Sequence, residues 1–169
     1  GNDVRHNIAA FDLVTGSLTA WDPDVHGRIL ALELADGILY IGGDLDAVGD
    51  QPRTYVAAIQ AVDASPLDWA PVVDGTVRCI AVGDDGVVYI GGDLTNAGGQ
   101  QRNHIAALDT NSGEATAFDP GADGTVHAMT IHNGVLHFGG AFSTVAGQPR
   151  LNLAAADLST GTLNAWAPG

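Results

Sequence analysis

The chain has 169 residues and a formal net charge of −14; 46% of its residues are apolar, 15% are charged and 23 are glycine. This composition is typical of one compact domain with many tight turns, and it excludes a disordered chain. All six basic residues are arginines, too few and too scattered to form the basic patch that nucleic acid or an anionic membrane surface requires.

The sequence carries neither a disulfide nor a membrane-spanning signal. Cys79 is the only cysteine, so no intramolecular disulfide can form. No apolar run reaches the roughly 18 residues of a membrane-spanning helix. Residues 1–10 lack the basic start and apolar core of a signal peptide. We interpret the chain as a mature protein or a piece of a longer one, and we expect neither membrane insertion nor a nucleic-acid partner.

The first predicted element, named strand C, occurs four times along the chain. Each copy is short and apolar, is bounded by turn residues and begins with an arginine, which predicts a buried strand. The four arginines are 48, 49 and 48 residues apart. The copies are residues 5–10, 53–58, 102–107 and 150–155.

A turn and a second short strand, strand D, follow each strand C. In three of the four copies the turn carries Asp, then Ser or Thr, then Gly, as in residues 109–113, whereas the second copy has Gln60 and Ala64 at the matching places. The carboxylate accepts hydrogen bonds from backbone amides, and the glycine allows positive φ. Strand D carries an aromatic residue with a proline two positions later. Proline cannot donate to a sheet ladder, which predicts D as the outermost strand. The pairs are Trp21 and Pro23, Trp69 and Pro71, Phe118 and Pro120, and Trp166 and Pro168.

Strands A and B complete the unit. Apolar runs at residues 29–34, 77–82 and 126–131 predict strand A. An Asp-Gly or Asn-Gly turn, the strongest short hairpin signal, leads into strand B. Strand B contains a double glycine and occupies residues 37–45, 86–94 and 134–142. Four short strands repeating about every fifty residues predict an all-β fold built from β-propeller blades.

The repeat resembles the kelch motif and, more closely, the delta-60 type of β-propeller repeat of bacterial surface and secreted proteins. The residues that carry the resemblance are Gly-Gly-Asp-Leu at 42–45 and 91–94, Gly-Gln-Pro-Arg at 147–150, Ala-Ala-x-Asp and Trp-x-Pro. The resemblance implies that strand A lines the propeller axis and strand D the rim, and that the protein is extracellular or at the cell surface. It does not define a function, because propellers serve many roles.

We predict one repeat domain over residues 1–169: a half blade of strands C and D at 1–24, blade 1 at 25–72, blade 2 at 73–121 and blade 3 at 122–169. Three blades are too few to close, and an open arc exposes apolar flanks. We therefore expect completion by copies of the chain, as a dimer or trimer through blade–blade contacts, unless the chain is a piece of a longer propeller. Two copies supply six A–B pairs but eight C–D pairs, which leaves C–D hairpins free to swap or pair between neighbours.

Repeated side chains are interpreted first as scaffold. The arginines of strand C either form an anion-binding ring or bind a carbonyl or carboxylate of their own blade, and their repetition favours the second alternative. The aromatic row is either a sugar-stacking surface or inter-blade core, and its regular spacing favours core. Asp44 and Asp93 follow the double glycines, but Ala141 replaces them in blade 3, so calcium is a minor alternative. The arginines are Arg5, Arg53, Arg102 and Arg150.

Positions that do not repeat are the better candidates for a ligand site. One slot of strand A holds Leu30, Arg78 and His127 in turn, and the resemblance places this slot near the axis. Arg78 and His127 are therefore the candidate axial ligand-binding residues. A zinc site of His127, His132 and His137 is disfavoured because these residues lack a ligand spacing and a cysteine partner.

No motif in the sequence predicts catalysis. A nucleophile elbow, a recognisable carboxylate pair and a phosphate loop are all absent, and Cys79, which aligns with Ala31 and Ala128, is interpreted as a small buried residue. We predict a non-enzymatic scaffold or binding module with no cofactor; the sequence does not define its ligand, for which a glycan and a protein are the candidates. The alternatives are a propeller-type lyase or hydrolase with Arg78 and His127 near the axis, and an excised or engineered propeller fragment.

Overall fold

The computed structural model describes residues 4–166 of the chain. This part of the chain contains fourteen β-strands and no helix, so the all-β fold is confirmed. In particular, no helix among these residues has the length and hydropathy needed to cross a membrane. The strands are β1 (Val25–Ala35), β2 (Ile38–Val48), β3 (Gln51–Pro52), β4 (Val56–Gln60), β5 (Val77–Gly83), β6 (Val87–Gly92), β7 (Asn96–Ala97), β8 (Gln100–Gln101), β9 (Ile105–Asp109), β10 (Val126–His132), β11 (Val135–Gly140), β12 (Thr144–Val145), β13 (Gln148–Pro149) and β14 (Leu153–Asp157).

Strands A, B and C of each blade form one antiparallel sheet. The three sheets are β1–β2–β4, β5–β6–β9 and β10–β11–β14. Successive side chains of a strand point to opposite faces of its sheet, and both faces are apolar. One face therefore packs on the preceding blade and the other on the next blade. One buried cluster joins blades 1 and 2, and a second joins blades 2 and 3. Strand β5 contacts both β1 and β10, so the A strands are neighbours from blade to blade.

Strand D is shorter than a regular strand. In each blade it is reduced to a single antiparallel bridge to strand C. Just beyond the bridge, the arginine that opens strand C donates from its Nη2 to a strand D carbonyl, for example Arg53 to Leu67 O at 2.6 Å. A side-chain hydrogen bond thus holds D where the ladder stops. The bridges are Ile59–Pro66, Leu108–Ala115 and Ala156–Leu163; the predicted edge proline Pro168 lies outside the described residues.

The double glycine of strand B lets strand A of the same blade and the next blade both come close to the strand B backbone. The A–B pairing contains a β-bulge in every blade, and a side chain on the second glycine, such as Gly92, would overlap the carbonyl oxygen of Thr76 there. The first glycine faces the next blade: a methyl group on Gly42 would lie 3.0 Å from Cδ1 of Ile80. The motif therefore sets the spacing both within a blade and between blades.

The polar connection from strand B to strand C contains a small β-ribbon. It is formed by β7–β8 in blade 2 and β12–β13 in blade 3, while β3 pairs with the long β2 in blade 1. Asp123 anchors the ribbon of blade 3 by accepting Ser143 N at 2.8 Å and Thr144 N at 2.9 Å. These hydrogen bonds, with that of the Ser143 hydroxyl first, hold the pKa of Asp123 well below its ordinary value.

The half blade is the least regular unit. Its predicted strand C, residues 5–10, is not a continuous strand, and its ladder is one bridge between Phe11 and Leu18. The reason is the lack of a strand B beside it within residues 4–166, since a strand paired on one side by a single bridge has little to hold it extended. Ile8 and Trp21 nevertheless pack against the buried cluster of blade 1, which fixes the half blade on that blade.

Candidate functional site

The bulge of strand A holds both candidate ligand-binding residues. Register shifts place Leu30, Arg78 and His127 at the bulges of β1, β5 and β10. A bulge leaves its extra residue outside the ladder, so the pairing does not constrain the side chain there. This explains why the slot varies from blade to blade while its neighbours repeat. Arg78 is half-buried and His127 is exposed.

Arg78 is tied to a carboxylate of its own blade. Its Nη2 and Nε donate to Oδ2 of Asp93 at 2.6 and 2.9 Å. The other oxygen of Asp93 accepts the hydroxyl hydrogen of Thr125, in blade 3, at 2.6 Å. The guanidinium beside Asp93 lowers the pKa of that carboxyl, and the Thr125 hydroxyl acts in the same direction. Arg78 is therefore part of a link between blades 2 and 3, and His127 lacks such a carboxylate because Ala141 stands at the matching position.

Asp44 forms the corresponding link between blades 1 and 2. Its carboxylate accepts hydrogen bonds from Thr76 in blade 2 and from Arg28 in its own blade, and these lower its pKa. The aspartates that follow the double glycines are therefore engaged in structural contacts. Within residues 4–166, no three His, Cys, Asp or Glu side chains are grouped so that they could hold a metal ion.

The histidines considered as a zinc alternative have separate contacts. His137 packs edge to face on Trp166, with ring centroids 5.3 Å apart. His132 lies 3.0 Å from the side-chain amide nitrogen of Asn133. The structure thus does not bring His127, His132 and His137 together as a ligand set.

The four repeated arginines have the structural role favoured by their spacing. Each donates from its Nη2 to a backbone carbonyl fourteen residues later, at 2.6 to 3.1 Å. The carbonyls belong to the D segments, so the guanidinium groups fasten C to D rather than forming an anion-binding ring. The pairs are Arg5 with Thr19, Arg53 with Leu67, Arg102 with Thr116 and Arg150 with Asn164.

The aromatic row is buried where another blade follows. Trp69 and Phe118 are both 6% exposed, and the indole N–H of Trp69 donates to Asp109 O of the next blade at 2.9 Å. Trp166, at the same slot of blade 3, is 42% exposed. Trp69 and Phe118 are therefore inter-blade core, as the spacing favours. Cys79 is also buried between blades, and burial raises the pKa of its thiol to about 12.

A cavity of about 670 Å³ lies between the half blade and blade 1. Ala9 and Trp21 of the half blade face Leu32 and Leu34 of β1 and Leu39 of β2 across it. Its lining is mainly apolar. The cavity was not predicted from the sequence, although two signals were present: the half blade has no A–B pair, and β1 carries leucine at every second position from 30 to 34.

The fold places the chain in the class of β-propellers. A family model of a domain of unknown function, DUF5122, described as a beta-propeller, matches residues 84–112. The matched stretch runs from the A–B turn of blade 2 to its C–D turn. No curated protein matches the chain.

Solved structures with a similar fold include two computationally designed proteins. Ika4 is 18% identical with a TM-score of 0.58, over 85% of this chain and 74% of that chain. Ika8 is 16% identical with a TM-score of 0.53, over 81% of this chain, and this chain spans only 35% of Ika8. BamB from Moraxella catarrhalis matches more weakly, with 14% identity and a TM-score of 0.34 over 88% of this chain and 55% of BamB. At such identities the likeness to the designed proteins shows the fold alone.

Proposed function

We propose that the chain is a non-enzymatic β-propeller scaffold or binding module whose open blade faces are covered by copies of itself. The observation that carries the proposal is a matched pair of uncovered apolar faces at the two ends of the arc. Each face contains residues whose counterparts inside the arc are buried against a neighbouring blade.

At the end formed by blade 3, Trp166 and Leu153 are uncovered. Trp166 is 42% exposed, against 6% for Trp69 and Phe118 at the same slot. Leu153 corresponds to Ile105, which is fully buried. A methyl group on Gly139 would approach only Asn152 O and Leu153 Cδ1, at 3.3 and 3.4 Å, both in its own blade.

At the opposite end, the half blade exposes Phe11. This residue is 60% exposed, whereas Ile59 and Leu108 at the same slot of blades 1 and 2 are fully buried. Inside the arc, Leu108 shares a buried cluster with Trp69 of the preceding blade. The same geometry between copies sets Phe11 of one protomer against Trp166 of another.

The contact is head to tail, because it joins different surfaces of the two copies. Such contacts either close into a ring or extend into a filament. A closed ring is the outcome that we expect, because propellers close with four to eight blades.

Within this class, we propose blades of the delta-60 type, with kelch as the alternative, and an extracellular or cell-surface location. The double-glycine bulge and the Asp turn, as in Asp109 accepting Asn111 N and Ser112 N, support the repeat type. The net charge of −14 suits a soluble, exposed protein. Isothermal titration of the protein against glycans and peptides tests for a ligand. Arg78→Ala and His127→Ala then test whether the residues at the strand A bulges contribute to binding of that ligand.

The self-association is tested with Phe11→Asp. We expect this variant to lose the assembled form in sedimentation velocity, because a carboxylate would be buried against Trp166. Leu13→Asp is the matched control, since Leu13 lies two residues away and is 97% exposed. An unchanged assembly in Phe11→Asp, or equal loss in both variants, contradicts the proposed contact.

A further inference from the structure

We propose that the cavity between the half blade and blade 1, called the seat below, binds an apolar antiparallel β-hairpin by strand addition along residues 9–11. The occupant has the chemistry of the chain's own β5–β6 hairpin, and its binding converts the half blade into a fourth complete blade. The inference rests on the propeller scaffold proposed above and names the partner of its incomplete end.

The open edge of the seat is the backbone of Ala9 and Phe11. Between them, Ala10 O accepts the amide of Thr19 at 2.9 Å, so the polar groups of Ala10 face strand D. Ala9 and Phe11 face the other way, and within residues 4–166 their backbone N–H and C=O groups form no backbone hydrogen bond. In blade 1 the corresponding two residues pair with β2. The half blade thus presents an unpaired strand edge, which is the template for strand addition.

The floor of the seat is the uncovered face of β1 and β2. Leu32 is 53% exposed, whereas Ile80, at the same slot of β5, is 7% exposed because blade 1 covers it. Leu34 and Leu39 continue the same face, since Leu32 pairs with Ile41 and Leu34 with Leu39 across the sheet. Together with the half blade, this face lines an open, mainly apolar cavity of about 670 Å³.

The complete blades show what fills the equivalent space. Over Ile80 lies the strand B glycine Gly42, where a methyl group would be 3.0 Å from Ile80 Cδ1. Over Met129 lies Gly91, at 2.8 Å by the same measure. The occupant over Leu32 is therefore a strand B with glycine at that point, held by an A strand on its far side.

The indole of Trp21 lacks the hydrogen bond that its counterpart in blade 1 forms. Its Nε1 is buried and has no hydrogen-bond partner among the described residues. The indole of Trp69, at the same slot of a complete blade, donates to Asp109 O at 2.9 Å. Trp21 lines the cavity, so a hairpin bound there should change the environment of its indole.

Completion also balances the strand pairs. Among residues 4–166, A–B pairs occur in three blades, but C–D pairs occur in those three blades and in the half blade. One bound hairpin gives four complete blades, and two completed copies give about eight, within the range in which propellers close.

The test is a fluorescence titration of the full chain with a synthetic peptide of residues 77–92 carrying Cys79→Ala. Trp69→Phe and Trp166→Phe leave Trp21 as the reporter, and phenylalanine is the residue that blade 2 has at that slot. We expect a saturable change in Trp21 emission, and no change with a scrambled peptide of the same composition.

Two controls test how the peptide binds. N-methylation at Val88 and Ile90 removes the amides that face strand C in blade 2 and leaves the A–B pairing intact, so we expect binding to be lost. Leu32→Asp in the protein should weaken binding at least about tenfold, because it places a charge on the apolar floor. Leu13→Asp, at an exposed residue that does not line the cavity, should leave binding unchanged.

A second variant keeps the inference testable if Leu32→Asp unfolds. A chain with residues 73–101 repeated in front of Arg5 carries the hairpin covalently and should no longer bind the peptide. Absence of binding to the parent chain, or binding that survives N-methylation or the fused hairpin, overturns the inference. The inference is also overturned if the peptide does not bind and Leu32→Asp abolishes self-association, because a second copy of the chain then occupies the seat. Phe11→Asp reports on self-association separately, since the Phe11 side chain is outside the cavity lining.

Discussion

At the residue scale, Asp93 shows how one carboxylate fixes the relation of two blades. It binds Arg78 in its own blade and Thr125 in the next. Blade 3 has Ala141 at the matching position and so has no equivalent link to offer. The interfaces between blades 1 and 2 and between blades 2 and 3 therefore each contain an Asp–Thr hydrogen bond, which a contact of blade 3 with another copy would lack.

Removing this tie should destabilise the protein measurably. We expect Asp93→Ala to lower the free energy of unfolding by about 1–2 kcal/mol, because the partly exposed ion pair with Arg78 and the hydrogen bond from Thr125 are both lost. Urea unfolding measures the change. Asp46→Ala, at an exposed aspartate of β2, should change stability by less than about 0.5 kcal/mol; equal losses would contradict the assigned role.

The contribution of Asp93 should also depend on pH. Its pKa is lowered in the folded protein, first by the hydrogen bond from Arg78. The stabilisation is therefore fully present above the unfolded-state pKa of about 3.9 and is lost as pH falls through the folded-state pKa. The difference in unfolding free energy between wild type and Asp93→Ala should shrink from about pH 6 to pH 3 in urea titrations. A constant difference would show that the charge of Asp93 is not involved.

Cys79 should report on separation of blades 2 and 3. Its thiol is buried, its pKa is raised to about 12 by burial, and its Sγ lies 3.8 Å from Val126 O of blade 3. Since only the thiolate reacts, we expect negligible labelling by an aromatic disulfide reagent in buffer and complete labelling in denaturant. Fast labelling of native protein would mean that this interface opens readily.

At the element scale, the glycines of strand B set the distance between blades. A methyl group on Gly91 would lie 2.8 Å from Met129 Cε, Val126 Cγ1 and Cys79 Sγ, whereas the matching Gly139 faces no further blade within the described chain. The same residue type thus has different constraints in the middle and at the end of the arc.

Alanine substitution should expose this difference. We expect Gly91→Ala to cost about 1–3 kcal/mol through overpacking. Gly139→Ala should be close to neutral in folding stability and should weaken association between copies. Chemical denaturation gives the first quantity and sedimentation the second. A similar folding loss in both variants would contradict the packing described for strand B.

Strands A, B and C were predictable because their apolar runs and Asp-Gly or Asn-Gly turns are local signals. The bulge at Arg78 was not, since register is a property of two strands and leaves no mark on one. The short strand D was not predictable either, because it is held by the hydrogen bond from Arg53 to Leu67 O, which joins two strands of the folded blade. The sequence shows that Arg78 and His127 occupy a variable position. The hydrogen bonds that Asp93 accepts from Arg78 and Thr125 could be recognised only in the folded structure, where blades 2 and 3 are packed together.

At the scale of the whole molecule, burial follows the presence of a neighbouring blade rather than residue type. Trp69 and Phe118 are buried, and Trp166 is exposed; Ile80 is buried, and Leu32 is exposed. An exposed apolar face of this kind marks an interaction site. We therefore propose, as the central claim, that the arc of three blades and a half blade is completed by contacts outside a single chain.

The most direct test is the absolute mass of the wild-type chain in solution, measured by light scattering coupled to size exclusion. We predict a discrete dimer or trimer of the 17.2 kDa chain, stable to moderate dilution. A well-folded monomer over the same concentrations would contradict the claim, because the faces around Trp166 and Phe11 would then be stable in water without a partner.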